Sequence, residues 1–288
     1  MNDQAYRLRE MMRQRRERAQ VIAVTSGKGG VGKTGLSVNL AIALAEQDQR
    51  VALLDADLGL ANVEVLMGVT SFYNLEHVIE GEKTLPEIMI KGPGGVHVIP
   101  GSSGLARVAD LHQEGRERVL AGLKLLGNEV DFVIIDTMAG IGRNATAFAV
   151  AADEVLLVAT PEPSSIVDAY AMLKTLVGQR GNVRVRLVVN QAANQQQAQA
   201  VAAKLGRVAL NYLGRSLPCA GWIPKDPHVS QAVMQSRPLL TTYPDAPASR
   251  KIRDLAAAFT ARAREESPAS TGGFFRRIAQ SFGLAGNG

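Results

Sequence analysis

One loop of eight residues constrains this chain more than any other feature. The apolar, β-branched run Val21-Ile22-Ala23-Val24-Thr25 leads into Gly27-Lys28-Gly29-Gly30-Val31-Gly32-Lys33-Thr34. The spacing fits G-x-x-x-x-G-K-[ST], with a strand before it and a helical pattern after it. The glycines let successive backbone N–H groups converge on phosphate oxygens. The helix start at Lys33 adds its positive dipole end. Lys33 can then reach β- and γ-phosphates, and Thr34 can place a hydroxyl on Mg²⁺.

Short apolar runs recur at 21–25, 50–54, 96–99, 132–135, 154–159, 183–189 and 219–223. Several are apolar throughout, as strands covered on both faces are. Helical patterns lie between them, at 33–47, 114–126, 164–177, 194–205 and 248–264. This rhythm predicts an α/β fold, doubly wound, with a mostly parallel sheet and helices on both faces. At 288 residues, the chain has room for one sizeable core and is short for two. With 46% apolar and 20% charged residues, it is neither disordered nor collagen-like. A single cysteine, Cys219, rules out an internal disulfide and leaves an iron–sulfur site short of ligands. Four histidines without helical metal-binding spacing argue against a protein-only metal site. No apolar run is long enough to span a membrane, and the first twenty residues lack a secretory apolar stretch, so a cytoplasmic location is expected.

The carboxylates follow the strands. Asp55 and Asp57 come after the second strand, at the carboxyl end of a parallel strand and beside the phosphate loop. Asp136 ends the run Phe132-Val133-Ile134-Ile135, where a carboxylate would orient Mg²⁺ or its waters. With Lys28 inside the loop, KGGVGKT resembles the deviant Walker-A ATPases of the MinD/ParA class, P-loop NTPases of the SIMIBI class. The resemblance covers roughly residues 20–262 and implies ATP and Mg²⁺ as cofactors. It implies a homodimer enclosing two ATP molecules, in which Lys28 of each subunit reaches phosphates bound by the other. Asp57 then positions the attacking water and Asp55 supports the metal-bound water network, with Thr34 and Asp136 as the other metal-side residues. Asn190 and the loop Pro224-Lys225-Asp226 embrace the adenine in such a site. No N-K-x-D signature for guanine is present.

Charge is concentrated at the ends of the chain. Of the net +5, residues 1–20 carry +3 and residues 262–288 carry +2, leaving residues 21–261 formally neutral. The expected division is a basic helix at 1–20, an ATPase domain at 21–266, a linker at 267–273 and an amphipathic helix at 274–284. On a helical wheel, Phe274, Phe275, Ile278, Ala279 and Phe282 share one side, an arrangement suited to an anionic membrane surface. Near the N-terminus, Asp3-Gln4-Ala5-Tyr6-Arg7-Leu8-Arg9 resembles the DQAxxLR motif of the flagellar-number regulators, the FlhG/FleN/YlxH branch of MinD-like ATPases. Gln4, Leu8 and Arg9 match that motif. The resemblance implies stimulation of a signal-recognition-particle-type flagellar GTPase (FlhF-like). It further implies a flagellar master transcription activator and switch-complex proteins as partners. The expected cycle is ATP-dependent dimerisation and binding to the inner face of the cytoplasmic membrane, with the cell pole as a candidate position and hydrolysis as release. Two alternatives share the core: a cell-division MinD, which leaves DQAxxLR unexplained, and a ParA-like partitioning ATPase on nonspecific DNA, which leaves the phenylalanine-rich helix unexplained. In the flagellar reading, no specific nucleic acid is expected.

Overall fold

A computed structural model of the chain describes residues 19–57, 62–101, 113–265 and 277. Strand β1 (Gln20–Ser26) is followed by helix α1 (Lys33–Ala45) and β2 (Val51–Ala56). Short helices α2 (Asn62–Met67), α3 (Leu75–Glu80) and α4 (Leu85–Ile88) precede β3 (Ile90–Lys91) and β4 (His97–Ile99). Helix–strand pairs come next: α5 (Gln113–Glu129) with β5 (Phe132–Ala139), and α6 (Arg143–Ala151) with β6 (Glu154–Ala159). Then follow α7 (Pro163–Gln179) with β7 (Val185–Ala192), and α8 (Gln195–Leu213) with β8 (Cys219–Pro224). Helices α9 (Pro227–Met234), α10 (Leu239–Thr242) and α11 (Pro247–Glu265) complete the described chain.

The eight strands form one sheet in the order β3-β4-β2-β5-β1-β6-β7-β8. Every neighbouring pair is parallel except β3–β4. This is the doubly wound architecture that the alternating pattern predicts. Successive β1 side chains point to opposite faces, so Val21 and Ala23 join one core while Ile22 and Val24 join the other. The first core holds Leu126, Phe148, Leu173 and Leu205 from helices α5 to α8. The second holds Leu40 of α1 and Phe259 of α11. Helix α1 is buried along most of its length because α11 covers the side that the sheet does not.

Where the elements depart from expectation, burial gives the reason. Helix α6 has no amphipathic pattern to read, because Ala145 to Ala151 are all buried. Helix α8 runs past Gly206 to Leu213, where 205 was the expected end. An interior glycine costs only ~1 kcal/mol, and the buried Ala209 anchors the extra turns. Gly214, in the left-handed region at φ 60°, stops the helix. Strand β3 is a two-residue antiparallel edge with no periodicity to detect.

Central β1 lies between β5 and β6, so the chain moves to one side of it for β2–β5 and to the other for β6–β8. Such a switch in winding leaves a crevice at the carboxyl ends of the strands. The glycine loop opens into that crevice.

Candidate functional site

The loop that joins β1 to α1 is shaped by backbone. Gly30 and Gly32 have φ of 76° and 89°, in the left-handed region that glycine tolerates without strain. Gly27 sits so close to α7 that a Cβ would lie 1.9 Å from the carbonyl oxygen of Asp168. Helix α1 begins at Lys33 with no side-chain cap, so its first N–H groups remain available to an anion. Lys33 is buried at the foot of that helix, next to half-buried Thr34.

Two carboxylates stand side by side beneath the loop. Asp55 of β2 and Asp136 of β5 are direct register partners on adjacent strands, and Asp136 is also level with Val24 of β1. Asp55 Oδ1 accepts the Asp57 N–H at 3.0 Å, and Oδ2 accepts the Val63 N–H at 3.3 Å. Burial lifts the Asp55 carboxyl to about 7, with neighbouring Asp136 adding to the rise, against those two N–H groups. Burial likewise lifts Asp136 to about 6, opposed by the hydroxyls of Thr34 and Ser37 and by the Lys33 cation. Ser37 Oγ donates to Asp136 Oδ1 at 2.9 Å, whereas Asp136 Oδ2 is buried without a well-aligned donor. Asp57, half-buried at the end of β2, adds its negative charge to both.

A buried carboxylate pair with an orphaned oxygen, next to a threonine hydroxyl, is an all-oxygen donor set. That chemistry fits a hard divalent cation such as Mg²⁺. No three His, Cys, Asp or Glu side chains among the described residues could hold an ion by themselves.

Lys28 points away from its own loop. Its Nζ lies 2.9 Å from Glu162 Oε2 and donates to Ser164 Oγ at 3.0 Å, both at the start of α7. Both partners of the ion pair are substantially exposed, so it contributes about 0–1 kcal/mol.

On the other side of β1, Asn190 Nδ2 donates to the Val31 carbonyl at 2.7 Å and packs against Gly32. This ties β7 to the phosphate loop. Pro224 ends β8 and Lys225 follows it, with the Lys225 N–H bound to the Ala192 carbonyl. Asp226 turns inward. Its Oδ1 accepts the N–H and Nδ1 of His228, and its Oδ2 accepts the Ala248 N–H. The carboxylate thus caps α9 and anchors the start of α11, leaving only the backbone at this position to face a ligand.

The structure therefore brings Gly27 to Thr34, Asp55, Asp57, Asp136 and Asn190 to one crevice. The segments carrying Gln4, Leu8 and Arg9, and Phe274, Phe275, Ile278 and Phe282, lie outside the described residues. Ser37, Glu162 and Ser164 had not been anticipated. Ser37 is legible in retrospect, as a serine one turn beyond Lys33 on the same helix.

Comparison with known proteins agrees with this geometry. The sequence model of a family described as an AAA domain matches residues 19–187. The chain is 44% identical to the antiactivator FleN of Pseudomonas aeruginosa over 237 residues, 82% of this chain and 85% of that one. It is 33% identical to the flagellum site-determining protein YlxH of Helicobacter pylori, covering 98% of this chain and 100% of that one. Among solved structures, the MinC:MinD cell division complex of Aquifex aeolicus superposes with a TM-score of 0.68 at 27% identity, covering 84% of this chain and 96% of that one. Fold and site define a P-loop ATPase of the MinD/ParA type. Within that class, the chain belongs to the flagellar-number regulator family of FleN and YlxH.

Proposed function

We propose that this ATPase regulates flagellar number and placement through a cycle of ATP-driven dimerisation, membrane association and release on hydrolysis. The observation that carries the chemistry is the convergence of Lys33, Thr34, Asp55 and Asp136 under a glycine loop. The loop N–H groups and Lys33 bind the phosphates. Thr34, Asp55 and Asp136 would hold Mg²⁺ or its waters, and the bound ion would supply charge neutralisation at the phosphates. Asp57, next to the carboxylate pair yet less buried, orients the attacking water. Asn190 and the backbone of 224–226 border the base.

Lys28 acts across the dimer. Face-to-face triphosphates need added positive charge in a desolvated interface. The exposed pairing of Lys28 with Glu162 is weak enough for phosphate to replace it. The segment 274–284 supplies the membrane contact. Two such weak helices in one dimer bind together with greater avidity. No helix among the described residues is long and apolar enough to cross a membrane. The N-terminal segment acts on the placement GTPase, and the transcription activator and switch-complex proteins complete the set of partners.

The test combines ATP turnover with light scattering. Wild type is expected to dimerise with ATP and return to monomer with ADP. Lys33→Ala loses ATP binding, Lys28→Ala loses dimerisation and hydrolysis, and Asp57→Ala binds ATP yet persists as a dimer. Normal turnover in Asp57→Ala would overturn the water-positioning role. Equal sedimentation with anionic liposomes in ATP and ADP would overturn the membrane switch.

A further inference from the structure

Among the described residues, three that are not glycine have φ in the left-handed region: Asp48 at 58°, Gln191 at 58° and Ser236 at 50°. Residues with a Cβ are strained there, aspartate and asparagine least. Asp48 and Ser236 lie in the turns that close α1 and α9, where a left-handed residue commonly ends a helix. Gln191 ends no helix. It lies inside β7, one residue after Asn190.

Strand pairing shows what this backbone does. Val189 is level with Trp222 of β8, and Ala192 is level with Pro224, so three steps along β7 match two along β8. The extra residue makes a β-bulge at Asn190–Gln191, a device that re-aims a side chain. Glycine would form such a bulge without strain. A glutamine is held here instead, exposed at the carboxyl end of β7, and strain of this kind clusters where a side chain is used.

The neighbouring side chain is already committed. Asn190 Nδ2 donates to the Val31 carbonyl at 2.7 Å, and Asn190 Oδ1 accepts the Gln191 N–H at 2.9 Å. Both ends of that carboxamide are engaged within the chain. The Gln191 carboxamide has no hydrogen-bond partner among the described residues. On its far side, the Ala192 carbonyl accepts the Lys225 N–H, which brings the loop at 224–226 alongside.

We infer that Gln191 reads the base of the bound nucleotide, while Asn190 positions the phosphate loop. This role rests on the ATP site proposed above. Asp55 and Asp136 stand on the β2–β5 side of the loop, so the metal and the terminal phosphates take that side. The base extends the other way, toward β7, which lies two strands or about 10 Å from β1. A carboxamide offers one donor and one acceptor side by side, the pair that matches the N6 amine and adjacent ring nitrogen of adenine. Gln191 therefore determines specificity, and Asn190 acts through the loop.

The experiment uses the full chain and calorimetry with three probes in Mg²⁺. They are ADP, purine riboside 5′-diphosphate, which lacks the N6 amine, and inorganic pyrophosphate. Wild type is expected to prefer ADP to the purine analogue about tenfold or more. Gln191→Gly relieves the strain and removes the carboxamide. It is expected to lose that preference through weaker ADP binding, with pyrophosphate affinity unchanged. Gln191→Met keeps the side-chain length without the carboxamide and is expected to lose the preference too, which decides the matter should the glycine variant fail to fold. Asn190→Ala is expected to weaken pyrophosphate as well as ADP. An unchanged preference in either Gln191 variant overturns the role, as does an equal loss of ADP and pyrophosphate binding in Gln191→Gly. Equal binding of ADP and the analogue by wild type overturns the role and leaves the ATP site standing. ADP binding that is unchanged in Lys33→Ala overturns the ATP site itself, and the role with it.

Discussion

Ser37 shows how much one hydroxyl decides at this site. It is fully buried in α1 and has two acceptors in reach, the Lys33 carbonyl at 3.0 Å and Asp136 Oδ1 at 2.9 Å. One proton serves one acceptor well, and the charged oxygen is the stronger. Ser37→Ala leaves Asp136 Oδ1 without that donor, an expected loss of about 1–3 kcal/mol. Urea unfolding of the ligand-free protein measures it, and a change under ~0.5 kcal/mol would show that Thr34 alone sustains the carboxylate. Lys33, Thr34 and Asp136 were legible in the sequence because each is tied to a local motif. Glu162 and Ser164 were not, since they meet Lys28 across 134 and 136 positions of chain. Their contact depends on where α7 lands beside β1.

Element packing sets the shape of the crevice. The phosphate loop rests on α7 through Gly27, where a Cβ would meet the Asp168 backbone and not a movable side chain. Gly27→Ala is expected to cost about 1–3 kcal/mol by overpacking and to weaken ATP binding. Thermal unfolding together with nucleotide titration checks both effects, and unchanged affinity would mean that α7 yields without disturbing the loop. The opposite wall depends on Asp226. Although burial raises its pKa, the Ala248 and His228 N–H groups and the His228 ring outweigh that and hold it below the usual carboxylate range. A depressed folded pKa stabilises the protein above the unfolded pKa, and that contribution is lost as pH falls. Asp226→Ala should therefore cost about 1–2 kcal/mol at neutral pH. The gap from wild type should narrow as pH drops through the carboxylate range near 3.9. A pH-independent gap in urea unfolding would show that the carboxylate's charge has no part in the cap.

At the scale of the whole molecule, the two ends of the sheet differ in chemistry. The carboxyl ends of the strands hold buried acids and a glycine loop, and the amino ends hold a cavity walled by arginine. The described chain begins at Ala19, ahead of β1, so the amino end of the sheet and the phosphate crevice are separated by the length of that strand. On the proposed function, the N-terminal segment is the part that separates flagellar from division or partitioning duties. A peptide of residues 1–20 is expected to accelerate GTP turnover by the cognate placement GTPase, and a Gln4→Ala peptide is expected to fail. No stimulation by the unmodified peptide would leave the ATPase family assignment intact while removing the role of the segment.

The glycine loop, the buried strand runs and the terminal charge are written locally. They follow from residue spacing, side-chain period and composition, so the doubly wound sheet and the phosphate crevice could be read from the chain alone. Other features exist only once strands are in register and helices are docked. Asp55 and Asp136 are neighbours because β2 pairs with β5. Asn190 meets the Val31 carbonyl across 159 positions. Asp226, expected beside a base, faces inward because α11 brings the Ala248 N–H to it. Arg180, Arg186 and Arg215 share one wall because α7 and α8 end where β7 begins. A linear pattern encodes which face a residue turns to its own element, while tertiary packing decides which distant group meets it there.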